Sequence, residues 1–356
     1  MHKPERTTVQ TDTTETIGCD LGDKETSICT LSAAGKITLR TEVKTDRDSL
    51  TRWFRNRPKA HVVMEVGTHS PWISGLVQAA GHRVTVINPH EFKLISDSRR
   101  KCDQEDAELL ARAARADLGL IRPVAHRREK TRAELTLLRT RDLLVRERSK
   151  LVSHTRGTLK SFGVKVGTCA PEAFHQRAAA FVPDLLKVAL DPVLEQLAHL
   201  GATLKKLDES IEITAKRHQK EMALLTSVPR VGTLTALAFC LVVENPRRFK
   251  KSRDLGAYLG LTPARRQSGD RDVQLGISKA GDGLLRRLLV QCAHQMMFKS
   301  APDSALKRWG LSKAKSGGKN GKKRMAVALA RKLAVVLHRL LVTGESYKAF
   351  PEGPMN

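Results

Sequence analysis

Four carboxylates in the first third of the chain are the residues best suited to chemistry: Asp20, Glu65, Asp103 and Asp106. Asp20 lies within Ile17-Gly18-Cys19-Asp20-Leu21-Gly22, and Glu65 follows Val62-Val63-Met64. In such apolar runs a lone carboxylate is costly to desolvate, so both read as functional. Asp103 and Asp106 are three apart and share one helix face, a position that the helix macrodipole alone would also favour. Converging carboxylates repel one another unless a hard divalent cation neutralises them, and an all-oxygen set suits Mg²⁺, with Mn²⁺ as the alternative. Two such ions would stabilise the attacking and leaving oxygens of an in-line phosphoryl transfer.

A second candidate is Ser268, which precedes Gly269 in a loop with Arg265, Arg266 and Arg271 around it. A serine hydroxyl needs a base or a cationic field to become a nucleophile, and arginine grips phosphate oxygens two at a time. Ser-Gly is also an ordinary turn. Downstream, Gly276-Ile277-Ser278-Lys279-Ala280-Gly281-Asp282 and Leu284-Leu285-Arg286-Arg287 add the cations Lys279, Arg286 and Arg287. Ser278 and Asp282 suit the turn and N-cap of a helix starting near Gly283. Upstream, Pro229-Arg230-Val231-Gly232 resembles the turn of a helix-hairpin-helix element, whose backbone N–H groups approach a phosphate. Lys307 to Arg339 holds eleven basic residues and no acidic one, among them Lys319, Lys322, Lys323 and Arg324. Solvated faces ordinarily mix signs, so this stretch reads as a nucleic-acid contact.

The elements that must position these groups divide the chain in three. Short β-rich runs at Thr16–Leu21, Ser27–Leu31 and Lys36–Val43 are followed by a helix from Asp46 to Arg57 and a buried strand at His61–Val66. A helix from Pro71 to Ala80, a strand at Arg83–Ile87 and an amphipathic helix from Asp103 to Ala116 complete the order βββαβαβα. That order suits an α/β domain of RNase H-like type over residues 14–120. Apolar residues recurring at three and four predict long helices from Glu129 to Lys160 and from Val193 to Leu225, an antiparallel pair or an intermolecular coiled coil within 126–222. Gly163 to Pro183 connects them. Residues 223–345 read as a mainly α-helical third domain, with a Lys/Gly-rich loop from Lys313 to Arg324.

The 356 residues carry a net charge of +26, of which residues 1–120 contribute +1 and the remainder +25. A polyanion is the simplest partner for that excess, since each cation set against a phosphate releases counterions. Aromatic residues make up 4% of the chain, too few for a base-stacking single-strand binder. The six cysteines are scattered singly, which excludes a zinc finger or disulfide scaffold. A membrane span and a signal peptide are not expected, and the protein should be cytoplasmic. Asp20-Leu21-Gly22 also resembles the first phosphate loop of actin-like ATPases and sugar kinases, but the second glycine-rich loop and the adenosine-binding Gly pair are missing.

Together, Asp20-x-Gly22, the Met64-Glu65 strand end, Lys101-x-Asp103-x-x-Asp106-Ala107, Tyr258-Leu259-Gly260-Leu261-x-Pro263, Ser268-Gly269 and Ile277-Ser278-Lys279-x-Gly281 resemble one group. It is the bacterial insertion-sequence transposases that join a RuvC-like DEDD domain to a C-terminal serine-bearing transposase domain. The resemblance runs from about residue 14 to 345 in the expected order. It implies a DNA recombinase guided by a structured non-coding bridge RNA, working in the bacterial nucleoid. It further implies Mg²⁺ held by Asp20, Glu65, Asp103 and Asp106, and attack of Ser268 on a DNA phosphate to give a covalent phosphoserine. Dimers assembled through the coiled coil would form a tetramer whose active sites combine both domains from different subunits. The alternative is a metal-dependent endonuclease of the junction-resolvase kind that uses water in place of Ser268.

Overall fold

The computed structural model describes residues 15–88, 103–115, 123–268, 271–315 and 321–350. Two compact units meet in sequence at Arg127 and Arg128. In the first, β1 (Thr16–Leu21), β2 (Glu25–Leu31), β3 (Ile37–Lys44), β4 (His61–Glu65) and β5 (Arg83–Ile87) form one sheet in the order β3-β2-β1-β4-β5. The pairs β1–β2 and β2–β3 are antiparallel, while β1–β4 and β4–β5 are parallel, as crossovers through helices require. This mixed sheet is the expected α/β architecture, consistent with an RNase H-like domain.

Alternation along the central strands sends apolar side chains to both faces. Ile17, Cys19, Val62 and Met64 pack with Leu50 and Phe54 of α1 (Arg47–Arg55) and Ile73 and Val77 of α2 (Ser70–Ala79). Asp46 starts α1 by accepting from the Ser49 N–H at 2.7 Å. On the other face α3 (Asp103–Arg115) covers Val63 and Ile87 with Leu110, Ala113 and Ala114, and Cys29 and Leu31 with Ala107 and Ala111.

In the second unit α4 (Glu129–Ser161) and α6 (Asp184–Lys216) run antiparallel, with the short α5 (Phe174–Ala179) in the connection between them. Leu135 and Leu138 share a core with Ile211 and Ala215, while Leu159 meets Leu186, Leu190 and Leu194. Arg141 Nε meets Asp208 Oδ1 at 2.8 Å between them. The second long helix differs from the expected Val193 to Leu225. It begins at Asp184, runs through Pro192, and ends at Lys216 before α7 (Gln219–Thr226). Burial of Leu186, Leu190, Leu194 and Leu197 outweighs the hydrogen bond that Pro192 cannot donate. His218 leaves helical geometry while its Nε2 meets Glu134 Oε2 at 2.9 Å.

The same core takes in α8 (Thr233–Val243), α9 (Asp254–Tyr258), α10 (Gly283–Met296), α11 (Ala305–Lys315) and α12 (Gly321–Thr343). This region is helical with one exception. β6 (Pro263–Ser268) and β7 (Arg271–Ile277) form an antiparallel pair where a loop is expected. The Gly269-Asp270 dipeptide between two runs was the available hairpin signal. Lys322, Lys323 and Arg324 likewise occupy the first turn of α12 and not a loop. Among the described residues no helix is long and apolar enough to cross a membrane.

Candidate active site

β1 and β4 pair in parallel through Cys19 and Met64, so Asp20 and Glu65 each follow the last matched residue of neighbouring strands. By strand alternation both point to the face of Gly18 and Val63, the face that α3 covers. Both side chains are half-buried. The approach of α3 is set by Gly18: a methyl group there would overlap the Ala107 carbonyl oxygen and lie 2.6 Å from the Ala111 nitrogen. A glycine in the strand opposite two alanines in the helix thus lets backbone meet backbone.

The direction of α3 follows from its hydrogen bonds. Arg115 at its C-terminal end donates to the Ser32 carbonyl at 3.1 Å, beside Leu31, which pairs with Thr16 at the start of β1. Gln104 near its N-terminus reaches Glu42 at 3.5 Å, and Glu42 pairs with Ser27, which in turn pairs with Asp20. The helix therefore runs antiparallel to β1, and its first turn, with Asp103 and Asp106, lies at the sheet end that carries Asp20 and Glu65. Asp106 is half-buried; the Asp103 side chain lies outside the described residues. Among the neighbouring acids, Glu108 has another task. It binds Arg112 Nε at 2.6 Å and also Arg40, and these hydrogen bonds hold its carboxyl below the usual range. Asp97 lies outside the described residues.

The donor set, carboxylates alone, fits a hard divalent cation in kind. Among the described residues no three His, Cys, Asp or Glu side chains close on a common metal position.

Two residues near this sheet end had no local signal in the sequence. His69, in the loop after β4, places Nε2 2.9 Å from Asp23 in the turn after β1, and its Nδ1 accepts from the Trp72 indole N–H at 3.1 Å. The indole fixes the tautomer, so Nε2 carries the proton toward Asp23. Asp23 and His69 lie 46 positions apart and are brought together only by the parallel pairing of β1 with β4.

In the second unit Ser268 ends β6 and pairs with Arg271; the side chains of Ser268, Arg265, Arg266 and Arg271 lie outside the described residues. The hairpin is rooted by the two glycine-bearing motifs. Lys279 N–H donates to the Gly260 carbonyl at 3.1 Å and Ser278 N–H to the Thr262 carbonyl at 2.9 Å. Any methyl on Gly260 would overlap the Ala280 backbone, and one on Gly281, whose φ is +73°, would overlap the Tyr258 carbonyl. Lys279 itself takes a left-handed φ of +56°. Arg286 crosses the junction and donates to the carbonyls of Leu259 and Ala280 at 3.0 and 2.8 Å. Its guanidinium thus holds the root of the hairpin, and Arg287 pairs with Asp142 at 2.5 Å. Asp282 caps α10 as expected, accepting from Leu285 N–H at 2.9 Å. Lys322, Lys323 and Arg324 are exposed, and Lys319 lies outside the described residues.

Comparison with known proteins agrees with both units. A DEDD-type transposase model matches residues 17–163, and a model described as "Transposase IS116/IS110/IS902 family" matches residues 222–308. The chain is 31% identical over 315 residues to a putative transposase, y4pF/y4sB, of Sinorhizobium fredii, covering 86% of this chain and 79% of that protein. It is 31% identical over 294 residues to the transposase for insertion sequence element IS1328 of Yersinia enterocolitica, covering 79% and 83% of the two. A third relative, the transposase for insertion sequence element IS1111A of Coxiella burnetii, is 28% identical over 343 residues, 93% of this chain and 91% of that protein. With the strand-end acids in one unit and the serine hairpin in the other, the chain belongs to the IS116/IS110/IS902 family of insertion-sequence transposases, which cleave and join DNA.

Proposed function

We propose that this transposase exchanges DNA strands through a covalent Ser268 intermediate, with Asp20, Glu65, Asp103 and Asp106 holding Mg²⁺ or Mn²⁺ and a structured RNA selecting the DNA. The observation that carries the reading is the placement of Asp20 and Glu65 at adjacent strand ends beneath the first turn of α3, joined to the family membership of both units. Bound metal would supply Lewis-acid stabilisation of charge on the phosphate oxygens. Ser268 Oγ attacks the DNA phosphorus, the Oγ–P bond forms as the P–O bond to one strand end breaks, and the serine proton passes to the departing oxygen. A strand hydroxyl then attacks the phosphoserine and regenerates Ser268. One phosphodiester is exchanged for another, so the exchange needs no nucleotide hydrolysis. Cations flanking Ser268 in sequence, Arg265, Arg266 and Arg271, would hold the phosphate charge. Assembly as a dimer or tetramer is supported by the apolar residues Leu185 and Val188 of α6, 80% and 91% exposed in the single chain.

The test is adduct trapping with DNA in Mg²⁺. Wild-type protein should give a denaturation-resistant protein–DNA adduct, while Ser268→Ala should give none and still bind DNA. Asp20→Ala should block cleavage as well. Cleavage that survives Ser268→Ala but not Asp20→Ala would replace the serine by metal-activated water. A defined RNA that copurifies, and without which no joining occurs, would carry the guided reading; joining in its absence would overturn it.

A further inference from the structure

The segment Pro246-Arg247-Arg248-Phe249-Lys250-Lys251-Ser252-Arg253 carries five cations in eight residues, outside every motif assigned above. All five are exposed, and among the described residues none forms an ion pair. Some arginines of the same unit are matched by acids. Arg139, Arg141, Arg287 and Arg308 are paired with Asp282, Asp208, Asp142 and Asp303. Of the acids beside the segment, Asp254 accepts from the Lys251 backbone N–H at 3.3 Å and serves the turn, and Glu244 accepts from Arg128 and Thr131 at 3.1 and 2.8 Å.

The segment is also held in shape from beneath. Asn245 caps a 3₁₀ turn at Pro246–Arg248, accepting from Arg247 N–H at 3.0 Å. His338 of α12, 1% exposed, reaches the Pro246 carbonyl with Nε2 at 2.8 Å and the Ser252 hydroxyl with Nδ1 at 3.0 Å. It thus ties both ends of the segment to one buried ring. Phe249 packs edge-on against His338 and Tyr258, and Arg248 stacks over Phe249 and Tyr258 at 4.7 and 4.6 Å. Stacking uses the guanidinium face and leaves its N–H edge for a ligand. More positive charge adjoins: Arg331 of α12 lies over Gly256, and burial together with Arg253 pushes the Lys332 ammonium below its usual pKa. A rigid cluster of like charges without matching carboxylates is stabilised by a polyanion, and its order is already in place before binding. The aromatic rings are covered by the arginine and the histidine, so backbone contact is favoured over base stacking.

We propose that Pro246–Arg253 is a preformed clamp for the phosphate backbone of duplex DNA, engaging successive phosphates through Arg247, Lys250 and Lys251. The clamp rests on the transposase reading, since duplex DNA is its ligand, and it reads no sequence.

The experiment measures binding of the full chain to two unrelated 30-base-pair DNA duplexes by fluorescence anisotropy across 50–300 mM KCl. The triple variant Arg247→Gln, Lys250→Gln, Lys251→Gln is compared with wild type. It leaves His338, Phe249 and Arg248 in place, and its melting temperature should match. Each phosphate contact contributes about 0.9 to the slope of log K against log salt, so the slope should become shallower by about 2 to 3, equally for both duplexes. Arg141→Gln, which removes a cation already paired with Asp208, should leave the slope unchanged. The clamp is overturned by a triple-variant slope equal to wild type, by a loss confined to one DNA sequence, or by a loss seen only with a duplex RNA of the same length. Should the triple variant melt early, Lys250→Glu with Lys251→Glu repeats the measurement, and an unchanged slope there overturns the clamp equally. Wild-type protein that binds no duplex DNA would overturn the transposase reading itself, an outcome distinct from wild-type binding that the variants fail to weaken.

Discussion

The two units place the residues proposed to react by different physical means. In the first, Asp20 and Glu65 are set by a ladder of main-chain hydrogen bonds, each one residue past a matched pair in a five-stranded sheet. In the second, Ser268 stands at the far end of a two-stranded hairpin whose root is two turns pressed together through Gly260 and Gly281. A sheet interior fixes position on every side. A two-stranded hairpin alone is marginal in water, so its orientation depends on the contact that anchors it. Charge follows the same division: residues 1–127 are close to neutral at +3, and the remainder holds +23. The acids that would hold metal sit on the sheet, and the greater part of the positive charge belongs to the second unit.

The largest expected effects come from filling the close approaches. Gly18→Ala sets a methyl against the backbone of α3, and the helix must lift from the sheet. Overpacking of this kind costs about 1–3 kcal/mol, more when backbone has to move. Gly281→Ala adds to a similar clash with Tyr258 the cost of a left-handed residue, about 1–2 kcal/mol. If the units are anchored separately, calorimetry will show Gly18→Ala lowering one transition and Gly281→Ala the other. A common shift of a single transition in both variants would show that the two share one cooperative unit.

An intermediate effect belongs to the first unit alone. His61 begins β4, 4% exposed, with Nε2 2.8 Å from Thr85 Oγ1, and burial together with the Arg83 charge lowers its pKa to about 4. The folded state keeps the ring neutral while the unfolded chain protonates it near pH 6.5. Stability from this group is therefore complete above about pH 6.5 and is lost as the pH falls toward 4, by about 3 kcal/mol at most. Melting temperatures taken from pH 7.5 to 4.5 should fall less steeply in His61→Gln than in wild type. Parallel curves for the two proteins would remove His61 as the cause.

The contrast between the units also explains what could be read from the sequence. The strand holding Asp20 and the strand holding Glu65 announce themselves as short apolar runs, and a carboxylate at the end of such a run is conspicuous because burial penalises it. The pairing of Asp103 with Asp106 follows from helix periodicity, and Asp282 from capping chemistry. By contrast, β6 is Pro-Ala-Arg-Arg-Gln-Ser, polar and without apolar alternation, and is a strand through its main-chain pairing with β7. The meeting of Gly260 with Gly281, the His69–Asp23 link and the tie from His338 to Pro246 join residues 21, 46 and 92 positions apart. No local pattern encodes such contacts. The early start of α6 was hidden by Pro192, which reads as a helix breaker yet is carried by the leucines around it.

The smallest effect concerns Asp282, where a local device and a tertiary contact meet on one side chain. Oδ1 accepts from Leu285 N–H at the start of α10, and Oδ2 accepts from Arg139 of α4, each at 2.9 Å. Losing an N-cap costs about 1 kcal/mol, and an exposed ion pair contributes a few tenths to 1 kcal/mol. Asparagine keeps the capping oxygen and loses the charge, so Asp282→Asn should cost about half as much as Asp282→Ala in urea unfolding. Equal losses in the two variants would mean that the link to Arg139, and not the cap, secures α10. In that case the hairpin root, which Arg286 of the same helix holds, would depend on the long helical pair for its position. The serine-bearing region would then be anchored by tertiary charge pairing, the opposite of the ladder that fixes Asp20 and Glu65.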